Sequence, residues 1–376
     1  MEHYLDNAAT TKPCAEAAAA VMSCISSHYG NPSSLHRKGL EAQHEVEYAR
    51  NQVAGALGCK AQEIVFTSGA TESTNLALCG AAAAYGRKRK KIITSAVEHA
   101  SVRETMAHLE TLGFTVVSVP PAEDGLYHAE DFLKEVDKDT CMVSIMLVNN
   151  ENGYRMPVEE VFRTVKRRDP DIITHCDAVQ GFLKVSFKPR TLCADLVSLS
   201  GHKVHALKGA GALYIRQGVR LKPVLYGSRQ EKGLRPGTEG VPVIAAFGAA
   251  AEKLVLTMDE LYDAVSGLRS SLIEQLKKMD GVIIRDLPSA SPYVLNISLL
   301  GYRSEIVLHY LEQREVYISS GSACSKGASS GVLELFGAKP AEVDSALRIS
   351  FCSDNTEEDI AALVQGLKDA QKDLMH

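Results

Sequence analysis

Between residues 63 and 215, short runs rich in Val, Ile and other apolar residues recur, and most are separated by helix-patterned segments. This alternation limits the fold more than any other feature. Parallel strands need a crossover of a dozen or more residues, and a helix is the usual way to make one. The strand patterns lie at 63–67, 91–95, 114–119, 142–148, 172–176, 195–199 and 211–215, with helical patterns at 15–26, 40–57 and 71–84 and from Ser101 and Val158. The reading is an α/β fold with a mostly parallel seven-stranded sheet and helices on both faces. A long helical stretch is predicted over 241–279. Strands near Val282, Val294 and Val316 and at 347–351 follow, and Thr356-Glu-Glu-Asp359 marks a closing helix start, so the tail reads as a smaller α+β unit.

A chain of 376 residues can bury a large core and a smaller one, and its net charge of −5 gives no electrostatic case for nucleic acid or an anionic membrane surface. No apolar run approaches a membrane span, and the start Met1-Glu-His-Tyr-Leu-Asp has no basic-then-apolar pattern. The nine cysteines are scattered without CxxC pairs. Together these features predict a reduced, cytoplasmic protein.

In such folds ligands bind at the carboxyl ends of strands. The segment Asp195-Leu-Val-Ser-Leu-Ser-Gly-His-Lys203 ends a buried strand on a lysine. Burying an ammonium is costly and lowers its pKa, which makes Lys203 a candidate nucleophilic amine of the kind that bonds an aldehyde cofactor. Asp177, at the end of another strand, is the group needed to keep a pyridine nitrogen protonated, so the pair suggests pyridoxal phosphate. Most lysines and strand-terminal aspartates are surface or turn residues, and either alone would say little.

Other strand ends add to this pair. Phe66-Thr-Ser-Gly-Ala70-Thr71 is a turn into a helix, where free N–H groups and the helix dipole favour a phosphate; Ser200 and His202 could supply further donors. His99 is placed for ring stacking or proton transfer, although a structural histidine is the plainer reading of that residue alone. Asn150 could bond a phenolate oxygen, with turn chemistry as the alternative. Arg348 is a charge inside an apolar strand: either an exposed edge residue or a fork for a substrate carboxylate. Arg235-Pro-Gly-Thr238 is a rigid turn with phosphate-compatible donors.

Cys324 sits in Ser319-Ser-Gly-Ser-Ala-Cys-Ser-Lys-Gly-Ala-Ser-Ser-Gly331, a composition that reads as a mobile loop and makes its thiol a candidate nucleophile. The other cysteines mostly fall in helix or strand patterns as core residues. Cys176, between His175 and Asp177, lacks a second ligand pair at metal-site spacing, so no metal is expected.

Tyr4-Leu-Asp-Asn-Ala-Ala-Thr-Thr11, Gly30-Asn-Pro-Ser-Ser34, Phe66-Thr-Ser-Gly-Ala-Thr-Glu-Ser73, Glu98-His99, Asn149-Asn-Glu151, Asp177-Ala-Val-Gln180, Ser200-Gly-His-Lys203, Arg235-Pro-Gly-Thr238 and Ser319-Ser-Gly-Ser-Ala-Cys324 occur in that order. In this the chain resembles the class I cysteine desulfurases, fold-type I pyridoxal phosphate enzymes of the class V aminotransferase group. The resemblance implies a large cofactor-binding domain at 12–255, and a small domain made of 1–11 and 256–376 that carries the Cys324 loop. It makes Lys203 the Schiff-base lysine, Asp177 the partner of the pyridine nitrogen and His99 the stacking acid/base. Asn150 and Gln180 would bond the ring oxygen. Ala70, Thr71, Ser200 and His202 would hold the phosphate, joined by Thr238 from the second subunit of a homodimer. Arg348, with Asn150, would hold the carboxylate of L-cysteine.

Cys324 would take the sulfur as a persulfide, release alanine, and pass the sulfur to an acceptor: an iron–sulfur scaffold, a tRNA-modifying enzyme or a thio-cofactor pathway. Three segments depart from the family pattern, at His205-Ala-Leu-Lys208, at Tyr226-Gly-Ser-Arg229 and at Asn152, and none removes a chemical group. The chain stops at His376, short of the tail with which housekeeping members dock a scaffold, which leaves that partner open. Selenocysteine lyase and aminotransferase of the same fold are the alternatives, the latter having no use for Cys324. A non-enzymatic protein with a degenerate pocket would not retain every polar role.

Overall fold

The structure, a computed structural model, describes residues 2–321 and 331–374. In chain order the strands are β1 (His3–Tyr4), β2 (Ile64–Thr67), β3 (Lys91–Ser95), β4 (Thr115–Val119), β5 (Thr140–Met146), β6 (Ile173–Asp177), β7 (Leu196–Ser200) and β8 (Gly211–Ile215). They continue as β9 (Val282–Arg285), β10 (Val294–Leu299), β11 (Val316–Tyr317), β12 (Ser319–Ser320) and β13 (Ala346–Ser350).

Seven strands form one sheet in the order β2-β8-β7-β6-β5-β3-β4. All neighbours in it are parallel except β8, which runs antiparallel to β2 and β7. The expected α/β fold, with its mostly parallel seven-stranded sheet, is the fold observed. Successive side chains point to opposite faces. Phe66, Ile93 and Val143 therefore join one core, with Val46, Val161 and Ala246 from the helices Arg37–Leu57, Val158–Arg168 and Val241–Val255. Val65, Ile92 and Met142 join the opposite core, under the helices Ala70–Tyr85 and Ala100–Thr111. Every residue of β5, β6 and β7 is buried, as strands covered on both sides must be.

A second, antiparallel sheet has the order β12-β13-β10-β9 and packs on the helices Met258–Leu276 and Glu357–Asp373 through Leu272, Leu295, Ile349 and Leu363. The N-terminal segment ties the two sheets together. Leu5 lies in the core of the smaller sheet, β1 pairs with β11, and Thr11 N–H then reaches His202 O at the end of β7.

The helical stretch expected over 241–279 is two helices, Val241–Val255 and Met258–Leu276, bent by 76°. The first, begun by Pro242, buries its apolar face on the large sheet. The second starts with Asp259 and Glu260 in its first turn and packs on the small one. A continuous periodic pattern therefore conceals a change of core. Ser319 and Ser320, expected as loop, form β12 because their backbone pairs with Arg348 and Leu347. Among the described residues, no single helix is long and apolar enough to cross a membrane.

Candidate active site

Chain direction across the large sheet reverses at β3, which lies between β4 and β5. Such a switch point opens a crevice at the strand ends. A cavity of about 670 Å³ lies there, lined by Ala70, Thr71, His99, Asn150, Asp177, Gln180, Ser200, His202, Lys203 and Arg348 among others. The structure therefore brings the expected site residues together, with two exceptions. Thr238 is exposed and does not line this cavity. Cys324 lies outside the described residues, but Ser319 and Val332, on either side of it in sequence, both line the cavity.

Lys203 ends the turn after β7, and its Nζ donates to Ala8 O and Ala9 O, both at 2.6 Å. Burial, helped by Arg348, pushes its ammonium down to about 8 against the opposing pull of Asp6 and Asp177. Near neutrality a usable fraction is free amine.

Asp177 closes β6 and accepts Val179 N–H at 3.0 Å. Its burial raises it above the usual carboxylate range, with His99 and Lys203 pulling the other way. His99 caps the helix Ala100–Thr111: its Nδ1 accepts Ser101 N–H at 3.1 Å and lies 2.9 Å from Ser101 Oγ. That bond assigns the ring proton to Nε2. Burial lowers the ring's pKa, so the imidazole is neutral. Glu98, beside it, is buried with Oε1 accepting from Ser95 Oγ and Met146 N, and burial raises it to about 8.

The opposite wall is built for an anion. The helix Ala70–Tyr85 starts after Gly69 without a side-chain cap, which leaves its first N–H groups facing the cavity end. Ser200 Oγ is buried with no hydrogen-bond partner among the described residues. A buried hydroxyl left open in this way is costly unless a ligand completes it. Gly211 is required by close approach, since a Cβ there would lie 2.6 Å from the Gly69 backbone and push the turn into the cavity. His202 is lowered to about 4, mainly by burial, and is neutral.

Arg348 is not at an edge. It lies on β13 between β12 and β10, almost fully buried; Nη1 donates to Asn150 O at 3.1 Å and Nη2 to Asp6 Oδ1 at 2.9 Å. Its Nε is buried with no partner among the described residues. Gln180 Nε2 donates to Ala8 O at 2.9 Å. Roles for Asp6, Ala8, Ala9 and Lys184 are not readable from sequence. The N-terminal motif was visible, but nothing in it indicates that its carbonyls would meet Lys203.

The departures have local explanations. His205, at φ 59°, donates N–H to Thr11 Oγ1 and pairs Nδ1 with Lys12 O, anchoring the N-terminal segment. Asn152 Oδ1 accepts Tyr154 N–H, a turn role that an aliphatic residue cannot fill. Ser228 Oγ donates to Gln230 Oε1.

The eight described cysteines are free, and each is buried or half-buried. Burial pushes Cys24, Cys141 and Cys352 up to about 11 and Cys59 to about 12, which removes them as thiolates at neutral pH.

Comparison with known proteins agrees with this geometry. Residues 3–363 match the family model described as aminotransferase class-V. A NifS/IcsS protein homolog of Lactobacillus delbrueckii subsp. bulgaricus is 40% identical over 95% of this chain and 94% of its own. A cysteine desulfurase of Nostoc sp. is 38% identical over 96% and 91%. The solved structure of a NifS-like protein superposes with a TM-score of 0.94 at 37% identity, covering all of both chains. The fold is thus that of the fold-type I pyridoxal phosphate enzymes. The chain belongs to the class-V aminotransferase family and, within it, to the NifS/IscS-type cysteine desulfurases.

Proposed function

We propose that this enzyme binds pyridoxal 5'-phosphate in the cavity at the β3–β5 switch point and converts L-cysteine to L-alanine, with the sulfur taken by Cys324 as a persulfide. The observation that carries the cofactor reading is the buried, unpartnered Ser200 Oγ beside an uncapped helix start, with Asp177 and Lys203 on the neighbouring strand ends. The residues fit the group. Ala70, Thr71, Ser200 and His202 would hold the phosphate, Asn150 and Gln180 the ring oxygen, Asp177 the ring nitrogen, and His99 the ring face. When bound, the cofactor supplies a carbonyl carbon for an amine and a cationic ring that takes up the electron pair of a broken Cα–H bond.

The chain's own residues do the rest. Arg348 orients the substrate carboxylate through its guanidinium, next to Asn150. Lys203, as free amine, takes the Cα proton at Nζ and returns protons as the product forms. His99, as a neutral imidazole, can donate a hydrogen bond from Nε2–H to the substrate thiol region or the ring. Cys324 attacks the substrate sulfur. The C–S bond breaks, an S–S bond forms on Cys324, and the carbon takes a proton to become the alanine methyl, so no outside oxidant or reductant is needed. Burial silences most of the described cysteine thiols, which supports Cys324 as the nucleophile.

The same reading includes a homodimer. Met22 and Ile25 on the first helix, and Tyr29, Leu35 and Tyr226 on loops that include the segment leading to Thr238, are exposed large apolar side chains of the kind a second copy would cover. Thr238 would reach the partner's phosphate from there. The proposed division is 12–255 and 1–11 with 256–376, supported by the core that Leu5, Leu272 and Ile349 share around the small sheet. The enzyme would act in the cytoplasm, passing sulfur to an acceptor protein of iron–sulfur or thiolation chemistry.

The test is peptide mass spectrometry after brief exposure of the holoenzyme to L-cysteine. One added sulfur on the Cys324 peptide, lost on reduction and absent from Lys203→Ala, is the expected result. Holoenzyme that gains no sulfur on Cys324 would refute the reading.

A further inference from the structure

Lys184 has no place in the chemistry above, yet it is 94% buried by residue exposure of 6%. Among the described residues no carboxylate lies within ion-pair distance of it. Its polar contact is Gln180 Oε1, to which Nζ donates at 3.1 Å, and its ammonium lies 5.9 Å from the Tyr293 ring centroid. A lysine buried without a counter-ion is costly to keep, so its neighbours should indicate what it does.

They form a short network. Lys184 Nζ donates to Gln180 Oε1. Gln180 Nε2 donates to Ala8 O at 2.9 Å, and the same carbonyl accepts Lys203 Nζ at 2.6 Å. Turning the Gln180 amide over would set its NH2 against a donor and its oxygen against a carbonyl, so the two contacts admit one orientation. In that orientation the second N–H of Nε2 is left for the cavity that Gln180 lines. The turn carrying both residues is tightly seated, since a Cβ on Gly181 would meet Leu147 Cδ2 at 2.5 Å. Burial pushes the Lys184 ammonium down to about 7. Charged or neutral, it still donates.

We propose that Lys184 is a positioning residue: it locks the Gln180 amide with its N–H toward the ring oxygen of the bound cofactor, acting through Gln180 and touching neither cofactor nor substrate. This rests on the cofactor reading above.

The experiment is a double-mutant cycle with Lys184→Met and Gln180→Leu, read by the dissociation constant of pyridoxal 5'-phosphate and by the pH midpoint of the bound cofactor's absorbance. Loss of one oriented hydrogen bond should weaken cofactor binding about five- to tenfold in Lys184→Met and move the midpoint. In the Gln180→Leu background the same change should alter binding by about twofold at most. Thermal stability of the Lys184→Met apoprotein should not fall, because a buried charge has been replaced by a chain of similar volume. Lys184→Gln, which keeps a donor, should restore the midpoint, and it decides the matter if the Met variant does not fold. Equal effects of Lys184→Met in both backgrounds, or none in either, would overturn the proposal. A wild-type protein that binds no cofactor would instead overturn the functional reading beneath it.

Discussion

Arg348 Nη2 donates to Asp6 Oδ1 at 2.9 Å, so the guanidinium facing the cavity is already partly held by the N-terminal segment. Burial raises the Asp6 carboxyl, and Arg348 opposes that rise. Nε, buried without a described partner, has a donor to spare. A fork of this shape suits a carboxylate, and an ammonium does not replace it. Arg348→Lys should raise KM for L-cysteine about tenfold or more, with a smaller change in kcat. Steady-state alanine formation measures both. An unchanged KM would remove Arg348 from substrate binding.

Lys203 is placed between opposing charges, which gives its titration a sign. Its folded pKa, about 8, is depressed by burial and by Arg348 and supported by Asp6 and Asp177. The free-amine fraction therefore rises as pH climbs through that value, and the rate at which apoenzyme captures pyridoxal 5'-phosphate should rise with it. Arg348→Met removes a lowering charge and should move the midpoint to higher pH; Asp6→Asn removes a raising one and should move it lower. Stopped-flow absorbance across pH 6–10 checks all three, where about one unit corresponds to 1.4 kcal/mol. Shifts in the same direction in both variants would contradict this electrostatic account.

Among the described residues, Ser200 Oγ is a buried hydroxyl without a hydrogen-bond partner, and Ser200 lines the cavity. Hydrogen bonds to a charged group are worth about 1.5–3 kcal/mol. Ser200→Ala should therefore weaken cofactor binding by roughly 10- to 100-fold, while the apoprotein, relieved of an orphan group, should melt no lower than wild type. Titration of apoenzyme with cofactor, alongside thermal melts, separates the two effects.

Stability rests on a different pair. Arg50 donates from Nη1 and Nη2 to the two Glu231 oxygens at 2.9 and 2.7 Å, and Glu231 Oε2 also accepts Phe66 N–H at 2.9 Å. Glu231 holds a positive φ of 46°, so this interaction fixes a strained turn beside β2. Breaking the pair leaves buried Arg50 with the more exposed Glu47 as its carboxylate partner, and Glu231→Gln should cost about 3 kcal/mol. Denaturant unfolding would read that directly, and a loss below about 1 kcal/mol would show the pair to be incidental.

Much of this was written in local patterns. Strand spacing announced the large sheet, because each parallel strand must be buried on both faces and so carries its own apolar run. Lys203, Asp177, His99 and Thr71 were visible as polar residues at the ends of such runs. The bend after Val255 was not, because both helices carry the same periodicity and differ only in which core they face. Nor was β12, whose Ser-Ser-Gly composition suggests a loop until Arg348 pairs with it.

The chain by itself determined the α/β class, the strand ends that carry chemistry and the family motifs, since these depend on residues near one another in sequence. Tertiary structure decided which distant groups meet. Asp6 on Arg348, Ala8 on Lys203 and Gln180, and Ala9 on Lys203 arise because the N-terminal segment crosses from the small sheet to the end of β7. The charge and donor balance of the site is set by burial and by contacts more than 170 residues apart, which no local pattern encodes.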